Sequence, residues 1–141
     1  MSFDPLARLS VPVLYTGPDG KARFREQAVA LSEGSPAARL SSWMQASACR
    51  LRRSPVGFAS DFHCTEQPQW LFVLQGVMEI GLRDGSARRF GPGMFFYSAD
   101  TVPSGQHFDP ERHGHRSRQL GPDELVTLFV QGPEPGSTAA P

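Results

Sequence analysis

Several shortages in this chain each close off a class of function. It has two cysteines in 141 residues, Cys49 and Cys64, too few for the disulfide lattice of a small secreted domain. There is no Cys-x-x-Cys pair for zinc or redox chemistry. Lys21 is the only lysine; arginine supplies the other basic side chains, and acids and bases cancel to a formal net charge of zero. Nothing in that balance draws the chain to nucleic acid or to an anionic membrane. No apolar run approaches the ~20 residues that span a bilayer. Met1 to Ser10 contains Asp4 and Pro5 and no apolar core, so no secretory leader is expected. A Gly-rich phosphate loop and a Ser-His-Asp order are also missing. These absences together predict a cytoplasmic protein with reduced thiols and neither a nucleic-acid nor a membrane partner.

What is plentiful is turn-forming and aromatic. Gly 14, Pro 13 and Phe 10 favour a β-rich fold over a helical bundle. The length suits one domain, burying roughly two thirds of the surface its unfolded chain exposes. The pair Arg88-Arg89 and the trio Arg50, Arg52, Arg53 read as solvated strand faces.

Taken in order, Met1 to Ser10 is an N-terminal arm. Val11 to Tyr15 is a short strand closed by Gly17-Pro18-Asp19-Gly20, a set of β-turn residues. Arg23 to Leu31 fits either period and is assigned strand. Ser32 to Ser42, broken by Gly34 and Pro36, is a connection, and the alternation over Trp43 to Arg53 predicts a half-buried strand. The organising stretch is Gly57 to Phe96. Trp70 to Leu74 and Val77 to Ile80 are apolar runs, Asp84-Gly85 and Gly91-Pro92-Gly93 are tight turns, and Met94 to Tyr97 is apolar again. Short apolar runs bounded by such turns predict antiparallel strands in a barrel or sandwich. Ser98 to Arg118 is a long loop carrying His107, His113 and His115, leading into a strand at His115 to Leu120. Leu125 to Val130 is the last strand. Residues 11–131 form the domain, and Gly132 to Pro141 is expected to be a disordered tail.

One spacing carries more. Gly57, His63, Thr65, Gln69 and Gly76 stand at the positions of G-x5-H-x-H-x3-E-x6-G, the first motif of the cupin superfamily, with Thr65 for its second His and Gln69 for its Glu. The segments Tyr15-Thr16-Gly17-Pro18-Asp19-Gly20, Phe62-His63, Arg88-Arg89-Phe90-Gly91-Pro92-Gly93-Met94 and Asp100-Thr101 resemble small single-domain cupins of unassigned function. That resemblance covers Val13 to Gln131. It implies an all-β double-stranded β-helix with one interior pocket, and pairing into a homodimer through an N-terminal strand.

In metal-binding members three His and one Glu hold Fe, Mn, Ni, Zn or Cu. Here Thr65 and Gln69 offer only neutral oxygens. The resemblance therefore implies a degenerate metal site of His63 and His115, with Ser104 as the other residue that alignment can place at the last position. His113 lies two residues from His115, which on an extended strand puts both on one face; with His63 that makes three imidazoles around a divalent transition metal. The plainer reading of His107 and His113 is that they are solvated loop residues. Glu66 supplies the missing carboxylate if the chain bends at Pro68. Cys64 faces away from its neighbour His63. Phe72, Phe95 and Tyr97 either line the pocket or pack in the core. Two functions stay open beside a third reading, a module whose barrel serves chiefly to dimerise. One is a cupin that binds a small organic molecule through His63, Gln69 and His115 without catalysis. The other is a metal-dependent oxygenase or isomerase using His63 and His115 as ligands.

Overall fold

Turn residues cut the chain into short strands, and nearly every regular element among residues 4–136, which the computed structural model describes, is a strand. A 3-10 turn at Pro5–Ala7 is capped by Asp4, whose side chain accepts from the N–H of Leu6. The strands that follow are β1 (Arg8–Thr16), β2 (Ala22–Ala30), β3 (Glu33–Ser35), β4 (Ala38–Leu40) and β5 (Ala48–Ser54). After them come β6 (Gln69–Gln75), β7 (Val77–Gly81), β8 (Ala87–Phe90), β9 (Phe95–Ala99), β10 (Arg116–Leu120) and β11 (Leu125–Gln131). No described helix is long and apolar enough to cross a membrane.

The strands form a six-stranded sheet, ordered β2-β1-β9-β6-β11-β5, and a three-stranded sheet, ordered β10-β7-β8. Beside β10 the segment 59–63 adds a fourth, fragmentary strand through the bridges Ala59↔Arg118 and His63↔His115. From β5 onward the chain passes back and forth between the two layers. β5-β11-β6-β9 then faces 59–63, β10, β7 and β8, which is the strand order of a jelly roll, or double-stranded β-helix. The all-β expectation holds, and the layers meet as two facing sheets.

The side-chain period of two decides what each face carries. Leu14, Leu71, Val73, Phe96 and Leu125 point from the large sheet at Met78, Ile80 and Phe90 of the small one, forming the inner core. Each such buried side chain contributes roughly 1.5–3 kcal/mol. Val11, Val13, Val29, Trp70 and Tyr97 form a second cluster on the outer face, with Phe72 and Phe95 packed against it. Tyr97 donates to the carbonyl of Gly132 at 2.6 Å, and Arg25 pairs with Glu134, so residues 132–136 lie against this outer layer. The rest of the segment read as a disordered tail, and residues 1–3 of the arm, fall outside the described residues.

Two local expectations need correction. The strand read at Trp43 to Arg53 begins only at Ala48 and is exposed on both faces until Ser54, because β5 is the sheet edge and neither of its faces is covered by a further layer of strands. Trp43 itself is 99% exposed. The connection 32–42 contains the small hairpin β3-β4.

Candidate ligand-binding pocket

Between the two sheets, beside β5, a cavity of about 510 Å³ opens to solvent. Its floor is apolar, made by Leu71, Met78, Ile80, Phe96 and Phe129, and its walls carry His63, Thr65, Gln69, Ser98, His115 and Ser117. A concave apolar space with a few converging polar groups is the usual form of a small-molecule site.

The two histidines are brought together by backbone. His63 and His115 exchange N–H···O bonds of 2.8 and 3.0 Å, and their rings lie 4.7 Å apart. Gly114 permits this approach. Its φ is +88°, and a Cβ there would sit 2.5 Å from the carbonyl oxygen of His63, a contact no other residue tolerates.

Each ring is also oriented. His115 donates from Nδ1 to Asp100 Oδ2 at 2.7 Å, leaving Nε2 for the cavity. Asp100, fully buried, takes a second bond on Oδ1 from Thr16 Oγ1 at 2.7 Å. His63 Nδ1 donates to the carbonyl of Asp61 at 2.9 Å, with Ser60 Oγ at 3.3 Å. His63 is exposed as a residue, and it borders both this cavity and a second, shallower hollow lined by Phe62, Val102 and Phe108. Burial, opposed in part by the bond to Asp61 and reinforced by the nearby charges of His115 and Arg52, holds its imidazolium below the ordinary range. Thr65 and Ser98 share a hydroxyl bond of 2.6 Å. The Gln69 amide has no protein partner among the described residues, so its polar atoms are free for a ligand.

The other sequence candidates are placed elsewhere. His113 is buried but does not join the pair. The positive φ of Gly114 breaks the extended run that would have put the two rings on one face. The His113 ring lies beneath the β1-β2 turn, with Nδ1 accepting from the N–H of Asp109 at 2.9 Å and Nε2 without a partner. Phe72, Phe95 and Tyr97 do not line the cavity: the register pairs Phe72 with Phe95 and Trp70 with Tyr97 on the outer face, while the alternate pair, Leu71 and Phe96, faces inward. His107 is exposed, and Ser104 lines a separate surface hollow with Asp19 and Arg112. Glu66 stands at the rim. Cys64 borders the cavity, and burial pushes its thiol up to about 11, which disfavours the thiolate.

Whether these residues suit a transition metal depends on the donor count. Each ring is fixed through Nδ1, as metal-bound imidazoles are, but no three His, Cys, Asp or Glu side chains among the described residues gather as a metal-holding group. Asp100 already spends its two oxygens on His115 and Thr16, leaving two imidazoles and neutral oxygens. That set does not fit a tightly held divalent ion.

Sequence reasoning missed Asp100, Ser98, Ser117 and the apolar floor. The parity of Leu71 against Trp70 would have identified the floor had the strand's inward face been known.

No family model matches the chain, and no curated protein does. Among solved structures it is similar to the cupin domain of Schizosaccharomyces pombe Cnp3, at 13% identity, covering 91% of this chain and 85% of that one with a TM-score of 0.42. The jelly-roll assignment rests on the strand order itself.

Proposed function

We propose that this protein binds a small organic molecule between its sheets, held by His63, His115 and Gln69 over the apolar floor, without metal-centred chemistry. The observation that carries the reading is the cavity of about 510 Å³ into which two pre-oriented imidazoles project. Groups fixed by their own hydrogen bonds lose little freedom when a ligand arrives. The test is a thermal-shift screen of small polar organics, followed by calorimetry on hits. Compounds that stabilise the wild type and fail to stabilise Gln69→Leu support the proposal; a flat screen overturns it. Near-stoichiometric Fe, Mn, Ni, Zn or Cu in protein purified without chelators, lost in His63→Ala, would restore the metal-enzyme alternative.

A second reading concerns a second copy of the chain. Leu51, Leu128, Phe72 and Phe95 are register partners across β5, β11, β6 and β9, forming one uncharged row on the outer face. Leu51 is 68% exposed and nearby Leu74 52%. A row without charge meets its own copy with no like-charge repulsion, as an isologous pair requires. Sedimentation should find a dimer that Leu51→Glu dissociates; a monomer at all concentrations would end this reading.

A further inference from the structure

The mouth of the cavity has a charge arrangement that narrows the ligand. In β5, Arg50 is paired in register with Phe129 and Arg52 with Thr127, both of which face inward. The two guanidinium groups therefore rise on the cavity side and line its entrance. Arg53, the next residue, falls on the opposite face and lies 3.8 Å from Glu124.

Several arginines have a carboxylate partner: Arg23 with Asp19, Arg25 with Glu134, Arg39 with Asp4, Arg53 with Glu124, Arg88 with Glu26, and Arg89 and Arg118 with Glu79. Among the described residues, Arg50 and Arg52 are in no ion pair. Arg52 lies over the ring of Phe58 at 4.7 Å, which steadies it without neutralising it. Of the described acids near the cavity, Asp100 is consumed by His115 and Thr16, and Glu66 is the one that stands at the rim.

Resting on the binding reading above, we infer that the ligand is a small amphiphilic carboxylic acid. Its carboxylate is held at the mouth by Arg50 and Arg52, and its apolar body lies on Leu71, Met78, Ile80, Phe96 and Phe129. Guanidinium groups present paired N–H donors that match the two oxygens of a carboxylate, and of a phosphate as well. The single rim acid, Glu66, tolerates one ligand charge beside two arginines and opposes a second, so a carboxylate fits better than a phosphate ester.

The experiment uses matched probes on the full chain: phenylacetate against phenylacetamide, hexanoate against hexanamide, and phenyl phosphate, each by calorimetry at low salt. The acids should bind at least about tenfold tighter than their amides, as charge-assisted hydrogen bonds warrant. The preference should vanish in the Arg50→Gln/Arg52→Gln double variant and persist in Arg53→Gln, with circular dichroism confirming that both variants fold. Equal binding of acids and amides overturns the inference and leaves the binding reading standing. Loss of preference in Arg53→Gln equal to that in the double variant reduces it to a general charge effect and overturns it too. Tighter binding of phenyl phosphate than phenylacetate replaces the carboxylate by a phosphate. Silence from every probe, amides included, overturns both readings.

Discussion

His113 and His115 are two residues apart and equally hidden from solvent, yet they have opposite surroundings. His115 is fixed through Nδ1 by a buried carboxylate and has its other nitrogen at a cavity wall. His113 accepts one backbone N–H and leaves Nε2 with no partner beneath a turn. Burial alone therefore says little about a histidine's use; what the second nitrogen meets decides it. The residue that separates the two fates is Gly114, whose left-handed backbone turns one ring inward and the other aside.

The strongest way to break this contrast is Gly114→Ala. A Cβ would collide with the His63 backbone at 2.5 Å in a conformation alanine avoids, so stability should fall by about 2–4 kcal/mol. Thermal denaturation showing less than a tenth of that would mean the close approach is not real.

Next comes the carboxylate. Asp100→Leu removes both carboxylate oxygens from a fully buried position and adds bulk there, stranding the Nδ1–H of His115 and taking away one acceptor of Thr16. Urea unfolding should register a loss of about 2–3 kcal/mol, together with loss of any ligand found in the cavity. His113→Leu sharpens the comparison from the other side. It forfeits one acceptor and removes a nitrogen that has no partner, so the cost should stay within about 1 kcal/mol and ligand binding should be unchanged. A cost equal to that of Asp100→Leu would show that the two histidines are equivalent after all.

The smallest expected effect is a pH dependence at His63. Its folded-state affinity for a proton is depressed below the ordinary value of 6.5, chiefly by burial. The unfolded chain therefore protonates first as pH falls through that value. The stability contribution is complete above 6.5 and fades on acidification through the lower folded-state pKa. Comparing wild type with His63→Gln by denaturant titration across this window should show a shallower acid loss in the variant. Identical profiles would place the ring in bulk water.

Turn chemistry and apolar runs made much of the fold legible: Gly17 to Gly20, Asp84-Gly85 and Gly91 to Gly93 each connect strands close to where expected. The edge strand misled, because alternation over Trp43 to Arg53 predicts one buried face only if something packs against it. The site was half legible. The resemblance to the cupin motif singled out His63, Gln69 and His115. The choice of Phe72, Phe95 and Tyr97 failed on parity, since an aromatic run offers both faces equally to an inspection of composition.

By itself, then, the sequence determined local matters: where the backbone turns, which stretches are extended, and that the segment around His63 resembles a family motif. Only tertiary structure decided which face of β6 and β9 looks inward, that Asp100 rather than a third imidazole supports His115, and that Arg50 and Arg52 share a cavity mouth while Arg53 does not. The reason is that turn and strand preferences act between neighbours in the chain. Facing, pairing and burial depend on contacts between residues far apart in sequence, such as Asp100 with Thr16 and His63 with His115.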